Sequence, residues 1–417
     1  MTTQSSGNVS RIELLKTYLR TERYSASIQR RYLLLAQRFL DYLESKTLAL
    51  ESVCALDVEY FLRWELRNFR KRHGRDPRHF RQWRWRHTSA VHKLGCLLPG
   101  QWPVMAAPAN AVEAFHRNVV QGFDTWLRDL RGLAPVTRSR LAKQAQQFLT
   151  ALGPRGDQEG LTHLNIRDID SYVQQRCMGL CRASIESCTV GLRGFLRYLH
   201  NSGRTSSDLG SAVIGPRIYD YEQIPSALRA EEVQKILEVS RQDLSPTGRR
   251  DYAFLMLLAT YGLRAGEIVA LRLEDIEWNK EVLRVWHSKT GAFSELPLLR
   301  EPGEAVLSYL QEARPDSTRR EIFLHLQAPY GGYTSGSILN HVIRVRLSAA
   351  GIVPQSRKGP HAFRHARAVS LLRAGVPLKS IGDVLGHTSA RSTAVYLKLG
   401  TESLRSVALD LPKEVLL

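Results

Sequence analysis

The residues best equipped for chemistry fall in the second half of the chain. In the run Ala259-Thr-Tyr-Gly-Leu-Arg-Ala-Gly-Glu-Ile-Val-Ala-Leu271, Arg264 follows a helix end marked by Gly262, and Glu267 comes three residues later on the next helix. Lys289 stands in the turn Lys289-Thr-Gly291. His361-Ala-Phe-Arg364 puts a histidine and an arginine one turn apart on one helical face. Leu385-Gly-His387 follows, and Tyr396 comes nine residues later. Two guanidiniums each present a planar fork that fits the non-bridging oxygens of a phosphodiester. Fixed donors aimed at developing negative charge are a large catalytic term. A tyrosine can take over the broken bond as a phosphotyrosine, provided it loses its proton during attack, because a free phenol titrates near pH ~10. Such a set suits opening a phosphodiester bond without water as nucleophile. It needs no metal, because cationic side chains do the work of Mg²⁺, and no nucleotide, because the bond energy stays in the covalent link. Nor is there a Gly-x-x-x-x-Gly-Lys-Ser/Thr loop to bind one.

The order Arg, Lys, His-x-x-Arg, Leu-Gly-His, Tyr resembles the tyrosine recombinase (phage integrase) family, over roughly residues 222 to 410. Each motif alone occurs by chance; jointly the bland readings (a helix-start arginine, a solvated turn lysine, a surface His/Arg pair, a helix-cap histidine, a core tyrosine) need five coincidences in order. The segment from Leu399 to Pro412 also looks like transposon-type members with an extended N-terminus. The resemblance implies a 3′-phosphotyrosine at Tyr396 with a free 5′-hydroxyl. Arg264, Arg364 and His387 would hold the phosphate, His361 would accept the phenolic proton, Lys289 would donate to the leaving 5′-oxygen, and Glu267 would orient Arg264 or His361. It also implies four protomers on two DNA duplexes, a C-shaped clamp, a Holliday junction, and accessory recombinases or DNA-bending proteins as further partners. One departure stands out. The family's basic hairpin, Gly-Lys-Gly-x-Lys-x-Arg, is reduced to Ser288-Lys-Thr-Gly-Ala-Phe-Ser, which leaves Lys289 the only lysine in the turn. His365 stands beside Arg364 as a rival histidine. The rival functions are a type IB topoisomerase, a catalytically silent DNA-binding protein and an RNA-binding helical protein.

The elements that must position these residues read as mostly helical. A new helix opens in Pro225 to Leu237, with acids in its first turn where the helix dipole favours them. Val282–Trp286 and Ser294–Leu299 read as a hairpin around the Lys289 turn. Helices are expected over 304–313, 335–350, 363–374, 378–385 and 391–397, and apolar spacing in the tail (Leu404, Val407, Leu409, Leu411, Val415, Leu416) suits either docking on a neighbouring protomer or packing at home. In the first half two segments look alike at an offset near 110 residues. Ala36, Phe39, Leu40 and Leu43 match Ala145, Phe148, Leu149 and Leu152, and Asp57-Val-Glu-Tyr-Phe-Leu62 echoes Asp168-Ile-Asp-Ser-Tyr-Val173. Linker residues at Gly100–Asn110 and from Asn201 to Arg217 set boundaries. The expectation is a mainly α chain: a helical bundle over 1–105, a second over 106–215, and a mixed α/β catalytic domain with a small antiparallel sheet over 216–417. The second bundle resembles the family's SAM-like core-binding domain.

The formal charge of +19 points to a polyanionic partner, and 43% apolar residues exclude a disordered chain. Residues 63–93 hold eleven Lys or Arg against Glu65 and Asp76. From this stretch Arg70, Lys71, Arg72, Arg81, Arg84 and Arg86 are expected to meet the DNA backbone, while the interleaved tryptophans belong to the bundle core. The five cysteines lack paired Cys-x-x-Cys spacing, so buried structural thiols are expected rather than zinc ligands or a disulfide framework. The longest apolar run, Tyr252 to Leu263, is short of the ~20 residues that span a bilayer. With no secretory leader pattern either, a cytoplasmic, nucleoid-associated bacterial protein without membrane contact is expected.

Overall fold

The computed structural model describes residues 2–219, 227–287, 291–353, 359–387 and 389–399. Lys289 and the apolar tail lie outside the described residues. The helices are α1 (Thr2–Thr21), α2 (Ala26–Ser45), α3 (Ala55–His73), α4 (Phe80–Gly95), α5 (Ala111–Asp129), α6 (Pro135–Ala151), α7 (Gln158–Thr162), α8 (Ile166–Cys177) and α9 (Arg182–Asn201) in the first half. After them come α10 (Ala230–Arg241), α11 (Pro246–Tyr261), α12 (Ala265–Ala270), the strands β1 (Ile276–Glu277), β2 (Val282–His287) and β3 (Ala292–Pro297), then α13 (Arg300–Glu312), α14 (Ser337–Ala349), α15 (Pro360–Arg373), α16 (Leu378–Leu385) and α17 (Ala390–Ala394). A 3₁₀ turn, Val395–Leu399, ends the described chain. The described parts of Val53–Glu59 and Pro103–Glu222 form one compact unit, and the rest of the described chain forms the other.

The internal likeness of the first half extends from residue types to contacts. Phe39 of α2 meets Phe61 of α3 edge-on at 4.9 Å, and Phe148 of α6 meets Tyr172 of α8 edge-on at 4.9 Å. Asp57 accepts from the Cys54 N–H at 2.9 Å, and Asp168 accepts from the Asn165 N–H at 3.1 Å. Val58 and Ile169, one residue beyond these acids, are both buried. A carboxylate that holds the chain entering a helix, with an apolar residue just after it, fixes where the helix begins and which face turns inward.

In the second half of the chain, α11 is the central helix. Ala253, Phe254, Leu255, Met256, Leu257 and Leu258 are all buried, so it is covered on nearly every side. It packs against α10, α13 and α15. Asp251 on α11 takes the Arg250 and Arg346 guanidiniums, at 2.6 and 3.0 Å, which ties α11 to α14. The sheet is antiparallel in the order β1-β2-β3, with Val285 opposite Ser294 and His287 opposite Ala292. Leu283, Val285 and His287 face inward, while Arg284 and Trp286 face out. α13 begins four residues before its expected start, α10 begins at Ala230 rather than near Pro225, and the short β1 has no counterpart in the sequence reading. Tyr396 belongs to a separate small apolar cluster with Ala368, Ile381 and Leu385.

Two expectations need correction. Cys96 and Cys181 are exposed, and Cys54, Cys177 and Cys188 are only half-buried, so the cysteines are not buried core thiols. Trp64 and Trp83 are half-buried, but Trp85 is 61% exposed, because α4 turns it outward with Arg81 and Arg84.

Candidate active site

Gly262 ends α11 in the left-handed conformation, at φ 65°, and a Cβ there would lie 2.7 Å from a Leu385 methyl. Both the backbone and the space therefore demand glycine. The tight turn leaves Arg264 immediately before α12, where Glu267 caps it. The Glu267 carboxylate accepts from the Arg264 N–H at 2.8 Å and from its guanidinium at 2.7 Å. A second Arg264 nitrogen donates to the Gly386 carbonyl at 3.3 Å. Arg364, on α15, donates to the Gly262 carbonyl at 2.7 Å and to the Leu385 carbonyl. Both arginines thus donate to the turn that ends α16, and Arg364 also holds the Gly262 turn.

Gly386 ends α16 at φ 62°, which swings His387 out of the helix. Its Nδ1 pairs with the Thr393 hydroxyl at 2.8 Å. The Tyr396 ring stacks on His387 at 6.2 Å and meets His365 edge-on at 5.3 Å, and its phenol feels the charge of the Arg364 guanidinium. The structure therefore gathers Arg264, Glu267, Arg364, His387 and Tyr396. His361 stays exposed at the start of α15, with its ring 6.2 Å from that of His365.

A family model described as the phage integrase family matches residues 226–402. A putative integrase/recombinase of Sinorhizobium fredii (strain NBRC 101917 / NGR234), y4gC, is 51% identical over 189 residues, 45% of this chain and 97% of that protein. A second from the same strain, y4rA, is 37% identical over 71% of each chain. The chain belongs to the phage integrase family of tyrosine recombinases. Among solved structures, a lambda integrase tetramer bound to a Holliday junction shares the fold at TM-score 0.52 and 19% identity, covering 73% of this chain and 87% of that one. This tyrosine recombinase is a DNA strand-transferring enzyme of site-specific recombination.

Charge is tuned by burial across the recombinase's pocket. Burial and the nearby Arg264 push the Arg364 guanidinium down to about 10, against the pull of Tyr396 and Glu267. Burial raises the Tyr396 phenol, while Arg364 and Arg264 work in the opposite direction. Burial would also raise Glu267, but its bonds to the Arg264 N–H, His287 and the Arg264 guanidinium outweigh that and hold it below its ordinary value. Burial and the surrounding cations push His387 and His365 down to about 4. At neutral pH both imidazoles are uncharged.

Sequence reasoning missed His287. It is fully buried, and its Nδ1 lies 2.8 Å from the Glu267 carboxylate. The signal was available, since His287 continues the inward alternation of Leu283 and Val285 as its one polar member. Of the expected DNA contacts, Arg70 pairs with Asp76 at 2.6 Å and Arg72 with the buried Glu65 at 2.8 Å. Lys71, Arg81 and Arg84 are exposed on the α3–α4 hairpin, and Arg86 is half-buried. Among the described residues no helix is long and apolar enough to cross a membrane.

Proposed function

We propose that Tyr396 is the nucleophile. Its oxygen attacks the scissile phosphorus, the bond to the 5′-oxygen breaks, and a 3′-phosphotyrosine forms. The phenolic proton passes to His361, and Lys289 protonates the leaving 5′-oxygen; both roles rest on the family resemblance. Arg264 and Arg364 hold the two non-bridging oxygens. With the Thr393 hydroxyl donating to Nδ1, His387 keeps its proton on Nε2 and gives the phosphate a third donor. Glu267 holds Arg264 in place. The observation that carries the reading is the buried Tyr396 ring, stacked on His387 and packed with Leu385, whose carbonyl the buried Arg364 holds, with Arg264 on the next carbonyl of the same turn.

The division into a first bundle over 1–105, a core-binding bundle over 106–215 and a catalytic domain over 216–417 goes with this reading. The second bundle grips duplex DNA, and the basic α3–α4 hairpin adds contacts to the backbone through Lys71, Arg81, Arg84 and Arg86. Four protomers act on two duplexes to integrate or transpose a mobile element in the bacterial cytoplasm. The test is covalent trapping on nicked duplexes built from the ends of the host element. Wild type yields a protein–DNA adduct that maps to Tyr396, and Tyr396→Phe binds without linking. Relaxation of any supercoiled plasmid, with no site requirement and no joining of two sites, would favour a topoisomerase instead.

A further inference from the structure

We propose that His287 is a positioning residue that sets the Arg264 fork through Glu267. Glu267 Oε1 lies 2.7 Å from the Arg264 guanidinium and 2.8 Å from His287 Nδ1, and Oε2 accepts from the Arg264 N–H at 2.8 Å. A carboxylate held in its charged form only accepts, so Nδ1 must carry a proton. The other ring nitrogen, Nε2, lies 3.0 Å from the Ser294 hydroxyl on β3. That hydroxyl serves a neutral ring as donor and a protonated ring as acceptor, so the ring is anchored at both ends in either state.

A third contact closes the arrangement. A Cβ on Gly386 would lie 2.5 Å from the His287 ring, and the Gly386 carbonyl is the second acceptor of Arg264. The ring therefore fills the space beneath the turn that Arg264 grips. One buried imidazole thus links the strand pair, the Glu267 carboxylate and the turn that leads to His387. Without it, the carboxylate keeps its two bonds to Arg264 but loses the third donor, the one anchored on the strand pair, and the guanidinium loses that anchor with it. A misplacement of ~1 Å at a reacting group costs about 100-fold in rate.

This inference rests on Tyr396 being the nucleophile. The experiment is single-turnover cleavage of a saturating nicked duplex, with affinity for intact duplex measured in parallel. The variants are His287→Ala, His287→Asn and His287→Gln. Asn places an N–H where Nδ1–H stood, whereas Gln places its amide near Nε2 and leaves Glu267 without that donor. Expected are cleavage about 100-fold slower for Ala and Gln, most of the rate restored by Asn, and unchanged affinity throughout. In a Glu267→Ala background the same His287 changes should add little, because the acceptor through which His287 acts is gone. Equal rates for Asn and Gln overturn the inference, as does an undiminished His287 effect in the Glu267→Ala background. If His287→Ala does not fold, the Asn and Gln pair still decides. A wild-type protein that forms no adduct defeats the nucleophile assignment and this inference together. Adduct formation with equal variant rates defeats this inference alone.

Discussion

The chain uses arginine in two opposite ways. In the pocket around Tyr396, Arg364 is only 4% exposed and spends donors on two backbone carbonyls, while Arg264 is bound to Glu267 and to Gly386. On the α3–α4 hairpin, Arg81 and Lys71 stand in water, and the two acids of the stretch, Glu65 and Asp76, are taken by Arg72 and Arg70. The difference is one of reorganisation. A guanidinium fixed in a poorly screened pocket acts at full strength on one atom position and costs nothing to align. A cation in water attracts any phosphate within about 10 Å at 0.1 M salt, without regard to geometry. The pocket suits bond breaking, and the hairpin suits holding a polyanion.

The comparison breaks most sharply at the proposed nucleophile. Tyr396→Phe keeps the ring that stacks on His387 and should abolish adduct formation while leaving duplex affinity unchanged, read by denaturing gel and by binding titration in parallel. Next, Arg364→Ala should slow cleavage by about 10²- to 10³-fold with little change in the salt dependence of binding. Arg364→Lys should rescue poorly, because one ammonium cannot hold the Gly262 and Leu385 carbonyls and the phosphate in a planar fork. The opposite behaviour is expected of Lys71→Ala combined with Arg81→Ala. Cleavage at saturating DNA should hold, while the slope of log affinity against log salt becomes shallower by about 2, at ~0.9 per lost phosphate contact.

The smallest effect concerns pH. Unfolding frees His365 and His387 to titrate near the ordinary 6.5, whereas in the folded pocket both sit at about 4. Between those values the unfolded chain binds more protons, so stability should fall as pH drops from 6.5 toward 4, and these two groups should contribute no slope above 6.5. Thermal melts at pH 7, 5.5 and 4.5 measure this.

Much of the site was legible because its residues sit at punctuation. Gly262 and Gly386 end helices in the left-handed region, and the residues that follow them, Arg264 and His387, are thrown into the pocket for that reason. The hairpin was legible from its alternation and turn. The likeness of the two bundles was legible from Phe39 and Phe148, and the structure adds the partner aromatics Phe61 and Tyr172. What escaped depends on packing between distant segments. Nothing in the local sequence says that His365 meets Tyr396, or that His287 fills the space under Gly386, because each pair joins residues far apart in the chain. The outward turn of Trp85 escaped for a related reason: an aromatic among arginines reads equally as core or as surface until the helix phase is fixed by its neighbours.

The small apolar cluster around Tyr396 has a kinetic consequence. Apart from the main core it rests on Ala368, Ile381 and Leu385, so freeing the phenol means parting a handful of side chains rather than melting the domain. Amide protons of the 395–399 turn should therefore exchange with solvent through a sub-global opening, well ahead of those in α11. With Tyr396 as the nucleophile proposed above, such a cluster keeps the attacking oxygen sheltered between encounters and releases it at low cost once a target strand arrives.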